Sequence, residues 1–256
     1  MPDNRELFPD GAAVVIGGSG GIGRATCEAL AEAGTDVVFT YRSNETVARE
    51  LQEHIASLGR RALAIKLDLT DRPACREAID RAASEFGGIH TLVIAVGADI
   101  SMTYTADIDP EEWDRTVEGD LTGSFNVLMP AIPHLRKQGG SVLGMSSAGL
   151  KRFPPKDILS VVPKAGLEML LNGIAREEGR NNIRANSIAL GVIDAGLFKR
   201  LEDRLTPDFV EAMRTNAPLR RFATAAEVAD LAVFLTSSKA AFITGQCIAL
   251  DGGYSV

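Results

Sequence analysis

Short apolar runs rich in β-forming residues alternate with amphipathic helical patterns along almost the whole chain. Strands without a polar face are buried on both sides, which is typical of a parallel sheet covered by helices. The alternation therefore predicts an α/β fold, a doubly wound seven-stranded parallel sheet with helices on both faces. The predicted strands are residues 12–17, 35–41, 61–69, 91–97, 140–147, 183–191 and 246–253. Apolar residues at three- and four-residue steps predict helices at residues 24–33, 45–58, 72–86, 110–136, 164–178 and 225–236.

A chain of 256 residues, 45% apolar and 24% charged, has the size and composition of one larger α/β domain. We therefore expect a single domain over residues 1–256. In such folds, ligands bind at the carboxyl ends of the strands. The least regular stretch, residues 194–224, follows a strand and contains Gly196, Pro207 and Pro218. We expect it to form a mobile flap over that edge of the sheet.

The charge of the chain indicates the kind of partner. The formal net charge is −7 and the sequence pI is about 5.1, and no run of Lys and Arg reverses this balance locally. This disfavours a nucleic-acid surface and favours a small-molecule substrate. Residues 1–10 lack the apolar core of a signal peptide, and no continuous apolar run reaches about 18 residues, the length of a membrane span. We expect a cytoplasmic protein with no membrane partner.

The cysteines and histidines show no spacing typical of a metal site or of a disulfide framework. The cysteines form no Cys-x-x-Cys pair, and the histidines lie far apart along the chain. These residues are Cys27, Cys75, Cys247, His54, His90 and His134. We expect buried free thiols in a reducing compartment, structural histidines and no metal.

The first predicted strand runs directly into the glycine-rich turn GGSGGIGRA, which opens a helix. Gly17, Gly21 and Gly23 allow the backbone to turn tightly and to approach a phosphate at the N-terminus of that helix. We place Ser19 and Ile22 of the same turn at this phosphate. The alternative is a glycine-rich turn that serves chain geometry alone.

The end of the second predicted strand indicates which dinucleotide is bound. An acidic residue there would accept a hydrogen bond from the ribose 2′-hydroxyl of NAD. This chain instead has Arg42 and Ser43, a guanidinium and a hydroxyl that suit a 2′-phosphate. We therefore expect NADP(H) as the cofactor. The alternative for Arg42 is a solvated surface arginine.

Several motifs, taken together, resemble those of the short-chain dehydrogenase/reductase (SDR) family over about residues 11–254. They are GGSGGIG, LDLTD, the glycine that ends the fourth strand, MSSAG, PKAG and the terminal DGG. The resemblance implies a Rossmann-type oxidoreductase that assembles as a homotetramer or homodimer through the long helices after strands four and five. It also implies further cofactor contacts at Asp68, Leu69, Ala95, Gly97, Lys164 and Ile193.

The chemistry of this family uses Tyr-x-x-x-Lys, in which the tyrosine is the general acid and base, and the lysine lowers the tyrosine pKa and holds the cofactor ribose. Lys164 stands at the lysine position, but Ser160 occupies the tyrosine position. Asp157 occupies the Tyr-x6-Lys position that resembles an enoyl-reductase branch. The stretch Ser-x-x-x-Lys-Ala-Gly from Ser160 also resembles the 2,4-dienoyl-CoA reductase branch, which lacks the family tyrosine at this place.

Other polar groups of the family pattern are replaced as well. Ala95 stands for an asparagine that contacts the cofactor, and Asp120 stands for the asparagine that anchors a water relay. Ile16 and Ala195 stand where threonines are usual. Because Asp120 is expected to face Lys164, we expect it to be an ionised partner of that lysine.

The serine that polarises the substrate oxygen is Ser147 when counted from the tyrosine position and Ser146 when counted from Gly149, and both remain open. A serine hydroxyl is a much weaker acid than a phenol, whose pKa is about 10. Loss of a general acid typically slows a reaction by about 10²–10⁴-fold. Hydride addition to a conjugated C=C is less demanding, because Ser160, Lys164 and a further serine can stabilise the enolate oxygen.

We therefore expect an NADP(H)-dependent oxidoreductase that reduces a carbonyl or an activated C=C of a small-molecule or acyl substrate. One alternative is a nucleotide-binding pseudoenzyme, and another is a non-redox isomerase or lyase on the same scaffold. Asp120 and Tyr104 are the candidate proton donors that replace the phenol. The position of Tyr104 is more typical of a surface tyrosine, and Tyr254 is expected to pack against the fold.

Overall fold

The computed structural model describes residues 7–256 and contains a seven-stranded sheet in which every pairing between neighbouring strands is parallel. The strands are β1 (Ala12–Ile16), β2 (Asp36–Tyr41), β3 (Ala62–Lys66), β4 (Ile89–Ile94), β5 (Gly140–Ser147), β6 (Ile183–Leu190) and β7 (Cys247–Leu250). Their order in the sheet is β3-β2-β1-β4-β5-β6-β7. The chain reverses its direction of winding between β1 and β4, which is where a doubly wound sheet binds its ligand. The predicted fold class is confirmed.

Nine α-helices connect or follow these strands within the described residues. They are α1 (Gly21–Glu32), α2 (Glu45–Ser57), α3 (Arg72–Phe86), α4 (Pro110–Thr116), α5 (Gly123–Leu135), α6 (Ile158–Glu178), α7 (Leu197–Leu201), α8 (Pro207–Asn216) and α9 (Ala225–Thr236). The predicted helix over residues 110–136 is divided by a π-helical turn, Val117–Thr122. The helix predicted to start at Lys164 begins at Ile158 instead, so that Pro163 lies inside it.

The core consists of two apolar layers, one on each face of the sheet. Alternate residues of β1 enter different layers: Ala12, Val14 and Ile16 pack on the side of α3, α5 and α6. Ala13 and Val15 pack on the side of α1, α2 and α9. All five side chains are at most 1% exposed. A strand buried on both faces is what its continuous apolar sequence predicts.

The flap segment, residues 194–224, is more regular than its sequence predicts, because it contains α7 and α8. Its base is closed by a parallel bridge between Ile193 and Ala223, with the Asp194 N–H donating to the Ala223 carbonyl at 2.8 Å. The expectation of irregular structure is wrong, because the two prolines do not interrupt helices here. Pro207 is the first residue of α8, where its missing N–H costs no hydrogen bond. That the segment is mobile stays a prediction.

Helix α6 is apolar enough to be compared with a membrane span. By length and composition alone, residues Ile158–Asn181 are long and apolar enough to cross a membrane. Polar residues interrupt this stretch, so it is not a continuous apolar run. One face of α6 is buried against β5 and β6. This is the packing of a core helix, and the remaining apolar surface of α6 faces outward.

Arg184 on β6 joins the sheet to the end of α9. Its guanidinium donates four hydrogen bonds to backbone carbonyls: Nη1 to Leu235 at 2.7 Å and Ile243 at 3.2 Å, and Nη2 to Thr236 at 3.2 Å and Ser237 at 3.1 Å. Carbonyls at a helix end lack partners within the helix and attract a cation. Arg184 therefore holds α9 against the strand whose carboxyl end leads into the flap.

We predict that Arg184→Met lowers the free energy of unfolding by about 2–4 kcal/mol, because hydrogen bonds from a charged donor contribute about 1.5–3 kcal/mol and do not add fully. Urea denaturation followed by circular dichroism measures the change. The matched control is Arg214→Met, which removes an exposed ion pair with Glu211 and should change stability by less than about 0.5 kcal/mol. Equal effects of the two substitutions would contradict the role of Arg184.

Candidate active site

The glycine-rich turn lies at the carboxyl end of β1 and is tightly folded. Gly17 has φ +83°, and a Cβ on Gly23 would lie 2.2 Å from the Gly17 carbonyl oxygen, so only glycine fits there. The cap residue of α1, Gly20, provides no side-chain hydrogen bond, and the first turn of α1 contains no acidic residue. The backbone N–H groups at the start of α1 are therefore available to a phosphate. Ser19 lies in this turn.

Thr40 supports the same turn from the neighbouring strand. Its hydroxyl oxygen accepts a hydrogen bond from the Gly17 N–H at 2.9 Å. Sequence reasoning missed this residue, since a buried threonine near the end of a strand has no distinctive signal until the strands are paired. Ala95 closes the other side, because a Cβ on Gly17 would lie 2.9 Å from the Ala95 carbonyl oxygen. The Ala95 N–H donates to the Ile16 carbonyl at 2.9 Å.

The residues expected at the adenosine end follow β2 and β3. Arg42 and Ser43 are exposed directly after β2. The pKa of Asp68 is lowered from its usual value, first by hydrogen bonds from the Thr70 backbone and side chain, and also by the charge of Arg42. Arg42 and Asp68 therefore lie near each other. Leu69 is engaged with α5, since a Cβ on Gly123 of that helix would lie 2.7 Å from the Leu69 Cβ.

The structure brings Lys164 and Asp120 together beneath the end of β4. Lys164 is 9% exposed, and its Nζ donates to the Val96 carbonyl at 2.6 Å and lies 3.5 Å from Asp120 Oδ2. Asp120, 7% exposed on the π-helical turn, also accepts the Ala98 N–H at 3.2 Å. Asp120 therefore holds both the Lys164 ammonium and the backbone after β4 in place.

Ser160 lies one helical turn before Lys164 on α6 and is half-buried. Its hydroxyl makes no hydrogen bond to any residue in 7–256, so it is free for a ligand. The structure thus retains the lysine of the catalytic pair in a fixed position, with a small hydroxyl at the tyrosine position.

The two candidate serines of β5 have different partners. Ser146 is buried and donates to Glu168 of α6, whose carboxylate also accepts from Cys247 Sγ at 3.1 Å. The Ser147 hydroxyl accepts the Gly149 N–H at 3.1 Å and starts the turn after β5. Glu168 was missed by sequence reasoning, although a charged residue four positions after Lys164 on an apolar helix was its signal.

Tyr104, suggested as a substitute for the missing phenol, is engaged elsewhere, and so is Tyr254. Tyr104 is 60% exposed, and the Lys156 ammonium lies 4.7 Å from the centre of its ring. The Tyr254 hydroxyl donates to the Arg152 carbonyl at 3.1 Å, and the Arg152 guanidinium stacks on the Tyr254 ring at 4.9 Å. Tyr254 therefore packs, as expected, and Tyr104 is a surface residue.

The histidines take part in local structure. His90 is buried between the hydroxyls of Thr35, at 2.8 Å, and Thr91, at 3.0 Å, and burial lowers its pKa to about 4. His134 pairs with Asp80 at 2.7 Å. Over residues 7–256, no group of three His, Cys, Asp or Glu side chains is arranged to hold a metal ion. The three cysteines are free thiols, and burial raises the pKa of each.

The flap lies against the glycine turn and the end of β4. A Cβ on Gly21 would be 2.8 Å from the Gly196 nitrogen, and a Cβ on Gly196 would be 3.9 Å from Ile22 Cδ1. Arg200 Nη2 of α7 donates to the Gly97 carbonyl at 3.1 Å. Arg200 was also missed by sequence reasoning, because its contact joins segments about a hundred residues apart. Ile193, at the base of the flap, is 5% exposed and packs in the core.

These features fit a dinucleotide. At three positions of the turn, an added side chain would collide with neighbouring backbone atoms: Gly17, Gly21 and Gly23. The bare backbone leaves its N–H groups accessible at the place where a pyrophosphate would bind. Arg42 is free of any ion pair among the described residues and lies on the adenosine side. Lys164 lies at the opposite end of the same edge of the sheet, next to Val96.

Comparison with known proteins agrees with this geometry. A family sequence model described as Enoyl-(Acyl carrier protein) reductase matches residues 17–255. The 3-oxoacyl-(acyl-carrier-protein) reductase FabG of Staphylococcus aureus (strain Mu50 / ATCC 700699) is 32% identical over 243 residues, which are 94% of this chain and 97% of that protein. The cis-4-hydroxycyclohexanecarboxylate dehydrogenase of Sinomonas cyclohexanicum is 33% identical over 253 residues, 98% of each chain.

Solved structures show the same likeness. The crystal structure of a putative short-chain alcohol dehydrogenase from Sinorhizobium meliloti 1021 superposes with a TM-score of 0.88 at 32% identity and covers 98% of each chain. The fold, the glycine turn, the buried lysine and these matches over nearly the full length lead to one conclusion. The chain belongs to the short-chain dehydrogenase/reductase family of oxidoreductases.

Proposed function

We propose that this protein is an NADP(H)-dependent oxidoreductase that reduces a carbonyl or an activated C=C of a small-molecule or acyl substrate. The observation that carries the proposal is the buried Lys164 ammonium, which is fixed between the Val96 carbonyl and Asp120 at the edge of the sheet where the glycine turn opens. A buried cation is costly unless it is paired and hydrogen-bonded, and both partners of Lys164 lie at this edge of the sheet. In the bound state, Lys164 would also donate to the ribose hydroxyls of the cofactor.

The cofactor would be held by three groups of residues. Backbone N–H groups of the turn from Gly17 to Gly23, with Ser19, would hold the pyrophosphate. Arg42 and Ser43 would hold the 2′-phosphate, with Asp68 and Leu69 beside the adenine. Ala95, Gly97, Lys164 and Ile193 would line the nicotinamide end. When bound, NADPH supplies a hydride to the substrate.

The residues of this chain would then stabilise the oxygen that gains negative charge. Ser160 presents a free hydroxyl, and Lys164 supplies a positive charge one turn away on the same helix. Ser147, at the end of β5, is the better placed of the two strand serines to reach this oxygen, because the Ser146 hydroxyl is bonded to Glu168. Donors aimed at a developing oxyanion are a strong source of catalysis.

The names of the relatives suggest the substrate class. One relative is named for a 3-oxoacyl thioester and another for a cyclic hydroxy acid. Both substrates carry a carbonyl or carbinol together with an anionic or polar tail. In this chain the flap carries Arg200 and Arg204 beside the end of β4, with Arg204 paired to Asp99 at 2.9 Å. Because Arg204 is neutralised by Asp99, the positive charge for an acidic substrate group would come from Arg200.

The assembly is a homodimer or homotetramer in a cytoplasmic setting, without a nucleic-acid or membrane partner. Support for self-association comes from the outward face of α5 and α6. Phe125 is 38% exposed and Met169 is 62% exposed on these helices, and only 39% of the apolar window of α6 is buried within one chain. A second copy would cover this surface.

A nucleotide-binding pseudoenzyme is the second candidate function. What favours it is the serine at the tyrosine position, Ser160, together with the pairing of Asp120 with Lys164. In that case NADP(H) would bind, and no hydride would be transferred.

We predict that the wild-type protein oxidises NADPH with an acetoacetyl or crotonyl thioester, and that Ser160→Tyr raises turnover of simple cyclic ketones by about 10²-fold, since the phenol restores a general acid. Absorbance at the NADPH band measures both proteins on the ketone and thioester panels. Ser160→Phe is the matched control, with the ring and without the hydroxyl. Tight NADPH binding with no turnover in any variant would favour the pseudoenzyme instead.

We also predict that NADPH binds more tightly than NADH, by about 10-fold or more, because a charge-assisted hydrogen bond from Arg42 to the 2′-phosphate contributes about 1.5–3 kcal/mol. Calorimetric titration of both cofactors measures the preference, and Arg42→Asp should reverse it. Arg49→Asp, an exposed arginine of α2 paired only with Glu45, is the control and should leave the preference unchanged. Equal affinities in the wild type would contradict the assignment of NADP(H).

A further inference from the structure

The missing phenol raises the question of which group gives a proton to the substrate oxygen. Asp120 is paired with Lys164, and Ser160 is too weak an acid at neutral pH. Tyr104 and Tyr254 are engaged at the surface. The groups weighed for this role on sequence grounds therefore do not fill it.

Asp157, the cap residue of α6, differs from the other aspartate caps of this protein, Asp71 and Asp109. Aspartate at a helix cap normally accepts a hydrogen bond from an N–H of the first turn. Asp157 makes no such bond, and within residues 7–256 its side chain has no hydrogen bond or ion pair. The capping side chains that do accept such a bond are Asn44, Asp71, Asp109, Thr206 and Thr224. The Asp157 side chain is thus partly buried without a hydrogen-bond partner at its own helix end.

The direction of that carboxyl follows from helix geometry. Asp157 precedes Lys164 by seven residues, which is close to two turns, so the two side chains share a face of α6. Ser160 lies between them, about 4.5 Å along the axis from Asp157. Helical side chains lean toward the N-terminus. Since the Lys164 end of this face touches Val96 at the edge of the sheet, the Asp157 end faces the space above the strand ends, where ligands bind in this fold.

The backbone before Asp157 is strained. Lys156 has φ +71°, a left-handed conformation that is unfavourable for a residue with a side chain. Its ammonium lies over the ring of Tyr104, which joins this loop to the loop after β4. Strain of this kind persists where the surrounding structure imposes it, and it is concentrated at functional sites. Asp157 therefore directly follows a residue that is held against the loop after β4.

We propose that Asp157 is the proton donor of the reduction, in place of the family tyrosine. This inference rests on the proposed function. As the carbonyl carbon accepts hydride from NADPH, the O–H bond of the Asp157 carboxyl breaks and its proton forms the O–H bond of the alcohol. The products are NADP⁺, the alcohol and an Asp157 carboxylate, which takes up a proton from water before the next turnover.

The protonation state of Asp157 supports this role. Burial raises the pKa of Asp157 to about 7, so that its neutral form is present at neutral pH, as a general acid requires. Tyr254 of the C-terminal segment lies close enough to Asp157 for the two groups to interact electrostatically. Burial is the main cause of the raised pKa of Tyr254; the charge of Arg152 lowers this pKa, and the charge of Asp157 raises it. Tyr254 is therefore neutral throughout the range in which Asp157 titrates.

The first test is the pH dependence of reduction in the intact protein with NADPH and acetoacetyl thioester. The wild-type kcat should be constant at acid pH and fall above about pH 7, because the donor is then ionised. Asp157→Asn should lower kcat by about 10²–10⁴-fold and remove this fall, with NADPH affinity unchanged. Asp157→Glu should retain part of the activity, and Ser160→Ala should keep the wild-type pH profile. An Asp157→Asn protein with wild-type kcat and profile would overturn the proposal but leave the proposed function standing.

The second test needs no substrate. A carboxyl whose pKa is about 4 in the unfolded chain and about 7 in the folded one destabilises the fold as it ionises. The penalty is absent below the lower value, grows between the two and is complete above the upper one. The melting temperature of Asp157→Asn relative to wild type should therefore rise from pH 4 to pH 7. A constant difference would overturn the proposal whatever the activity, whereas a rise without wild-type turnover of any substrate would overturn both this role and the proposed function.

Discussion

The site depends on one buried charge, the Lys164 ammonium. Taking a cation out of water is unfavourable by several kcal/mol unless its partners compensate. Here the partners come from two other elements: the carbonyl of Val96 after β4 and the carboxylate of Asp120 on the π-helical turn. Three elements that are distant in sequence are thereby fixed at one point. That point follows β4, one of the two strands between which the winding of the sheet reverses and where ligands bind in doubly wound folds.

The substitutions in this chain redistribute roles around that charge. An aspartate at position 120 in place of a neutral amide supplies Lys164 with a direct counter-ion. A serine at position 160 places a smaller side chain than a tyrosine one helical turn before Lys164. Under the proposal made above, the Asp157 carboxyl, whose pKa burial raises to about 7, takes over the proton-donating role of the phenol.

Much of this could be predicted from the sequence, because the determining patterns are local. The alternation of apolar runs predicts the seven strands, and the spacing of Gly17, Gly21 and Gly23 predicts the turn at the start of α1. These two features depend on periodicity and on backbone conformation, which a short stretch of chain already specifies. The resemblance of Pro-Lys-Ala-Gly to the family motif singled out Lys164, and its contact with the cofactor stays a prediction.

Other features could not be predicted, because they arise only when distant segments meet. Thr40 supports Gly17, Glu168 binds Ser146, and Arg200 reaches Gly97, and each contact joins residues far apart along the chain. The regular helices of the flap were hidden by its glycine and prolines, although Pro207 only marks the start of α8. The start of α6 was hidden by Pro163, which lies within the helix. The raised pKa of Asp157 likewise results from tertiary packing and has no signature in its sequence neighbours.

The central claim is that Lys164 anchors the dinucleotide even though the tyrosine is absent. A crystal structure of the protein with NADP⁺ tests it most directly. The account predicts that Lys164 Nζ leaves the Val96 carbonyl, or shares it, to donate to the hydroxyls of the nicotinamide ribose while Asp120 remains its counter-ion. A complex in which Lys164 keeps only its present partners and touches no part of the dinucleotide would contradict the account.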